Sequence, residues 1–439
     1  MGVPMEHELN VEAIAVISAC VVLWGVFSAR LERWNITAPI AFVLMGLAVT
    51  HQPLSLIHLN LESSTLRSVA ELTLALVLFS DAARVNLRKL RADVGLPLRL
   101  LGIGLPLTIG AGMVAALGLI GGIGIWVAAL VGAIVAPTDA ALGSAIMSDT
   151  RIPSGVRRLL NVESGLNDGI ATPFVNLFLA GAVAEEVAHS SGVAGAVGSL
   201  VAGAAIGAGV GVVGALALRL SARTGWGGPA FRPLVVLGLA LFGYAAAVQA
   251  GANGFVGAFV AGMAFGATMP HDDPLTLGFT NDLGELLSLF VWFAFGAIMV
   301  VPGFEHAAWT DVVFAVLALT VVRMVPVAVA TLGTGLDRAT VAFVGWFGPR
   351  GLASVVFALI AVDSLAPAEG ARVLAAVTVT VAMSVVAHGV SASPLAARYG
   401  RFAATLGSLD PEHTSAPSIP TRSLGARRSP PGPPAGQGQ

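Results

Sequence analysis

The sequence predicts an all-α polytopic membrane protein, and three observations predict it. Of 439 residues, 56% are hydrophobic and 11% charged, where soluble domains carry about 25% charged residues. Thirteen mostly apolar segments can be read along the chain, most of them close to the roughly 20 residues that cross a hydrocarbon core. The basic residues collect on one side of the resulting alternation. Glycine, at 53 residues, adds to this picture, because small side chains let membrane helices approach closely. A net charge of −2 without a basic cluster argues against a nucleic-acid partner. The single cysteine, Cys20, excludes an internal disulfide and a cysteine-based metal cluster. No cofactor is implied.

The expected spans are 11–29, 38–50, 66–87, 96–119, 123–148, 155–181, 192–218, 233–250, 252–269, 281–301, 311–332, 339–361 and 371–395. The second is short, as a tilted or partly inserted helix would be. The first ten residues are acidic and lack the basic start of a cleaved signal peptide. With the N-terminus outside, 19 of the 23 basic residues face the cytoplasm, only Arg67 and Arg372 face outward, and Arg323 and Arg350 lie within spans. One inside loop, with His271, Asp272 and Asp273, lacks the expected charge. Residues 1–400 are thus expected to form the transmembrane domain. Residues 401–439, rich in Pro, Gly, Ser and Arg, are expected to be a disordered cytoplasmic tail.

An ionisable residue within a span costs roughly 2.5–3.5 kcal/mol on the insertion scale, which makes it a functional candidate. The deepest are Asp81, Asp139, Glu163, Asp168, Arg323 and Arg350. Glu71 and Glu285 lie nearer span ends, where snorkelling is the simpler account. Span 6 carries NVESGLNDGIATPFVN, residues 161–176. At 100° per residue, Asn161, Ser164, Asp168, Thr172 and Asn176 share one stripe within about 120°. A polar stripe through an apolar helix reads as the wall of an ion path. Glu163 lies about 140° from Asp168 on the same wheel, so the two carboxylates need different partners. Asn167 falls between the two faces, and Pro173 frees a carbonyl near Gly169.

Span 5 contains VAPTDAAL at 135–142, where Pro137 interrupts the helix and Thr138 and Asp139 can cap its second half. Span 12 has a matching feature in GWFGPRGLAS at 345–354. Two interrupted spans seven apart point to an inverted repeat of spans 1–6 and 8–13, with span 7 as a linker and two discontinuous helices. Asp139 and Arg350, one at each break, suit the neutralisation of half-helix dipoles. Arg323 sits mid-span three residues before Pro326 and needs an acid; Glu163, at similar depth and off the stripe, is the expected partner. Asp81 lies toward the cytoplasmic end of span 3, where pairing with Arg84 is the plainer account. His388 in span 13 is read as a packed or hydrogen-bonded histidine.

The ESGLNDG stretch (163–169), the APTDA break (136–140), FGPRG (347–351) and the arginine of span 11 together resemble the bacterial sodium/proton antiporters of the monovalent cation:proton antiporter superfamily, in the branch related to animal sodium/proton exchangers. The resemblance spans residues 11–395. It implies a homodimeric, multi-pass protein of the inner (plasma) membrane with a dimerisation part and a core part carrying two crossed discontinuous helices. By position it implies Asp168 as the ion- and proton-binding carboxylate, Ser164 and Asn167 in support, Thr138 as a ligand from the unwound stretch, Asp81 as the site's acid from span 3, and Glu163 with Arg323 as a structural ion pair. Transported Na+ would then meet Asp168, Ser164, Asp81 and Thr138. Asn-Asp in place of Asp-Asp is similar to members that exchange one ion for one proton without net charge movement. The family often reads Thr-Asp-Pro at the break, whereas here Pro137 precedes Thr138 and Ala140 follows Asp139.

The expected activity is exchange of Na+ or Li+ for H+ by alternating access, with ion and proton competing for Asp168; exchange of K+ for H+ by the same fold is the alternative. A hard cation wants oxygen ligands, which carboxylate, hydroxyl, amide and carbonyl groups supply. Intramembrane aspartyl proteolysis would need a Gly-x-Gly-Asp that is missing, and Ser164 lacks the Gly-x-Ser lead of a serine nucleophile. A channel fits interrupted, repeated helices less well than alternating access does.

Overall fold

A computed structural model describes residues 11–34, 36–51, 55–57, 59, 64–85, 95–187, 192–269, 277–407 and 412. The acidic N-terminal decapeptide, the loop basics Arg88, Lys89 and Arg91, the His271–Asp273 loop and the tail arginines Arg422, Arg427 and Arg428 lie outside the described residues.

The described chain is built of helices. In order they are α1 (Val11–Leu31), α2 (Ala38–Thr50), α3 (Ser64–Arg84), α4 (Gly95–Leu119), α5 (Ile125–Val135), α6 (Ser144–Ser148), α7 (Ser154–Val187) and α8 (Gly192–Thr224). Then follow α9 (Arg232–Gln249), α10 (Gly254–Thr268), α11 (Gly278–Glu305), α12 (Trp309–Leu319), α13 (Val321–Ala330), α14 (Arg338–Trp346), α15 (Leu352–Ser364) and α16 (Pro367–Ala403). Each apolar segment of the sequence falls on one helix or on a broken pair. Among the described residues eight helical segments, with α12 and α13 taken together as one, are long and apolar enough to cross a membrane, and α2, α5, α10 and α15 are shorter apolar helices.

Two sets of helices can be distinguished by their packing. In one, α3 and α10 pack together, α10 also lies against α8 and α9, and α11 joins α2 to α3. In the other, α4, α7, α12, α13 and α16 surround the broken pairs α5/α6 and α14/α15. Backbone proximity holds the first set. Cβ atoms added at Gly203, Gly207 and Gly211 of α8 would strike the carbonyls of Asn253, which caps α10, and of Gly257 and Ala261 within it. Gly46 of α2 and Gly296 of α11 meet reciprocally, each against a carbonyl of the other helix, Phe293 and Val43. Gly296 lies in a π-helical turn, Phe295–Met299, that widens α11 where α2 crosses it.

Span 11 departs from expectation. It is not one helix but two, α12 and α13, joined at Thr320 with φ −114° and ψ −94°. Apolar periodicity continues through the joint, so nothing local marks it. Beyond the last helix, Glu412 is buried at 2% exposure. Its carboxylate accepts from the Asp337 amide and the Thr340 hydroxyl, both at 2.9 Å, at the start of α14.

Candidate functional site: two crossed breaks beside an acidic helix

The chain unwinds between α5 and α6 and again between α14 and α15, and the two breaks cross. The Asp139 amide donates to the Pro349 carbonyl at 2.7 Å. Each break sends its charge across. Asp139 Oδ2 accepts from the amide of Leu352, the first residue of α15, at 2.9 Å, while Oδ1 accepts from the Ala141 and Leu142 amides at 2.6 and 3.2 Å. Arg350, fully buried, donates through Nη1 to the carbonyls of Ala136 and Pro137 at 2.6 and 3.3 Å and through Nη2 to that of Ala318 at 3.0 Å. A carboxylate thus faces the amide end of one half-helix, and a guanidinium faces the carbonyl ends of α5 and α12, the arrangement helix dipoles favour. Ser354 ties α15 to α5 by donating to the Ile134 carbonyl at 2.7 Å.

The glycines of the second break make room for these charges. A Cβ on Gly351 would overlap the Asp139 carboxyl group. One on Gly348 would lie 2.6 Å from Arg323 Nε and 2.9 Å from Thr138 Cγ2.

α7 runs past the crossing and supplies the polar side chains. Thr138 from the first break meets it there. Its Oγ1 is 2.9 Å from Ser164 Oγ and accepts from Asn167 Nδ2 at 2.6 Å. All three side chains are buried, and Asn167 Oδ1 accepts from no donor among the described residues. Asp168, next in the chain, is half-buried, and its carbonyl accepts from Thr172 Oγ1 at 2.8 Å. Phe259 of α10 lies so closely over Gly169 that any Cβ there would collide with its ring. Asp81 reaches α7 from α3: its Cβ is 3.9 Å from where a Cβ on Gly165 would stand, three residues before Asp168.

Glu163, on the far side of α7 from Asp168, pairs with Arg323 of α13, Oε1 to Nη1 at 2.5 Å, with both side chains 3% exposed. The structure therefore joins Thr138, Ser164 and Asn167 at the residue preceding Asp168, brings Asp81 against Gly165 a turn earlier in α7, and gives Glu163 its own cation in Arg323.

Two polar residues in the network carry no site role in the sequence reading. Ser384 Oγ accepts from the Arg350 amide at 2.6 Å, and His388, one turn on, faces both Ser384 and the Trp346 carbonyl. Their i, i+4 spacing on one face of an apolar helix is the available signal.

The sodium/hydrogen exchanger transmembrane family matches residues 16–398. The chain belongs to that family. Its members' transport of cation against proton is thereby the activity of this chain, which is a transporter and not an enzyme. The fold is similar to that of the sodium proton antiporter MjNhaP1 from Methanocaldococcus jannaschii at pH 8, with a TM-score of 0.69 and 19% identity over 86% of this chain and 98% of that one. A second structure of that antiporter, an electron-microscopy map, gives 0.67 and 20% over 89% and 98%. No curated protein matches the chain in sequence.

Proposed function

We propose that this antiporter exchanges Na+ or Li+ for H+, one for one, by letting the two compete for Asp168. The observation that carries the reading is the buried oxygen cluster of Thr138, Ser164 and Asn167, adjacent in the chain to Asp168, in which Asn167 Oδ1 accepts from no donor among the described residues. Hydroxyl, amide and carboxylate oxygens are what a hard monovalent cation requires in place of water. A cation there supplies the positive partner that the amide oxygen lacks. Asp81, close to the same face of α7, is the second acid of the site. A carboxylate that takes either a proton or a cation, and must be neutralised before the helices around it move, couples the two flows. Movement of the set containing α5, α7 and α14 against the set containing α3 and α10 then gives alternating access. Asp139 and Arg350 hold the crossing, and Glu163 with Arg323 braces it.

The chain is placed in the plasma membrane with its C-terminus in the cytoplasm, acting as a homodimer. The exposed apolar faces of α1 and α8, with Val22, Val26, Val201 and Val213, offer surface to lipid and to a second copy. The test is a proteoliposome dequenching assay with Na+, Li+ and K+ in turn, with the membrane potential clamped and free. Na+-driven proton movement that is indifferent to potential supports the reading, and K+ alone giving the signal replaces Na+ with K+. Asp168→Asn is expected to abolish exchange; normal exchange by that variant rejects the assignment.

A further inference from the structure

The geometry points to Ser384 and His388 of α16 as positioning residues that set the ion site through the second break. The two ends of that break are both bound to this pair. Trp346, the last residue of α14, presents its carbonyl 2.9 Å from His388 Nε2. The Arg350 amide, at the other end, donates to Ser384 Oγ at 2.6 Å. Nδ1 of the same imidazole lies 3.1 Å from Ser384 Oγ and 2.9 Å from the Ser384 carbonyl.

A carbonyl can only accept, so Nε2 carries the ring proton. The lone pair left on Nδ1 then receives the Ser384 hydroxyl proton, and that hydroxyl oxygen is free to accept from Arg350. The neutral Nε2–H tautomer serves the Trp346 carbonyl, the Ser384 hydroxyl and the Arg350 amide, and leaves the Ser384 carbonyl to the backbone amides of α16. His388 is 2% exposed, and its ring lies at a centroid distance of 5.2 Å from the Trp346 ring.

What this pair holds is directly connected to the cation site. With residues 346 and 350 pinned to α16, the Pro349 carbonyl is placed to receive the Asp139 amide, and the Arg350 guanidinium to receive the Ala136 and Pro137 carbonyls. Those contacts bracket Thr138, the residue that carries the first break's hydroxyl to Ser164 and Asn167. A hydrogen bond lost in α16 is thus felt as a displaced ligand more than two hundred positions earlier in the chain. Misplacement by about 1 Å is enough to weaken a coordinated site.

This inference rests on the ion site proposed above, and the experiment separates the two. Full-length protein in proteoliposomes is compared as wild type, Asp168→Asn, Ser384→Ala, His388→Phe and His388→Gln, each checked for a single peak in gel filtration. Ser384→Ala and His388→Phe are expected to raise the half-saturating Na+ concentration at least fivefold while keeping the maximal rate within twofold. His388→Gln, which keeps an N–H near Nε2, is expected to return within twofold of wild type. The inference is overturned if Ser384→Ala and His388→Phe keep the wild-type half-saturation while Asp168→Asn is inactive, or if they lose maximal rate alone, as a packing role would have it. If His388→Phe does not fold, Ser384→Ala, which removes one oxygen, decides the matter. A wild type without Na+-driven exchange, or an active Asp168→Asn, overturns the site instead.

Discussion

At the scale of single residues, the membrane interior makes each charge expensive and therefore legible. Arg323 and Glu163 are nearly sealed from solvent and 2.5 Å apart. Removing one partner strands the other, at a cost of about 3–5 kcal/mol. Arg323→Ala should therefore lower the yield of folded protein and its thermal midpoint in detergent sharply. The double replacement Glu163→Leu with Arg323→Met should cost less than either charge removal alone, since no ion is left unpaired. An unchanged midpoint in Arg323→Ala would mean the pair is not structural. Gly351 is demanding for a different reason. Its backbone is tolerated because no Cβ stands in the space of the Asp139 carboxyl group, so Gly351→Ala should dislodge the cap of α15 and lower Na+ affinity in the same exchange assay.

At the scale of elements, the half-helices depend on charges borrowed from each other. Asp139 serves three amides, two in its own chain turn and one at the start of α15. Each buried amide left without an acceptor costs roughly 1–3 kcal/mol. Thermal midpoints should fall in the order wild type, Asp139→Asn, Asp139→Ala, because the amide variant keeps one acceptor oxygen; equal midpoints would show that the caps contribute nothing. The turn joining α6 to α7 uses an ordinary exposed pair. Arg151 donates to Asp149 from Nη2 at 2.6 Å and holds that carboxyl group below its usual 3.8. A lowered carboxylate pKa contributes stability above the ordinary value, which is lost as pH falls through the folded one. The turn should thus be indifferent to pH in the neutral range and loosen below about pH 4. Asp149→Asn should remove that acid dependence from hydrogen exchange of the turn amides.

At the scale of the whole molecule, the two helix sets are joined by charge at the end expected to face outward. Arg67 of α3 bonds Glu71 at 2.8 Å, pairs with Asp363 of α15, and Tyr244 of α9 donates to Glu71 at 2.9 Å. At the opposite end, a cavity of about 330 Å³ opens between the sets, lined by Glu32 and Pro39 on one side and Leu142, Asp149 and Ala392 on the other. Alternating access requires the outer contact to part. With Cys20 replaced, a short bis-maleimide bridge between Arg67→Cys and Asp363→Cys should stop exchange, while each single cysteine variant treated alike keeps it. Full activity of the bridged protein would show that the sets do not separate there.

Much of this molecule was legible in its sequence because the relevant physics is local. Helix period, span length and the cost of a buried charge depend on residues a few positions apart, so the spans, both breaks and the separation of Glu163 from Asp168 followed from wheel arithmetic and two prolines. What only the tertiary structure decided concerns partners far apart in the chain: that Asp139 caps α15 and Arg350 caps α5 and α12, that α12 ends at Thr320, that Ser384 and His388 hold the second break, and that Glu412 is buried at the start of α14. Hydrogen-bond donors and carbonyl ends in a broken helix look alike in sequence. Which of them meet is set by how the helices cross, and crossing is a property of the packed whole.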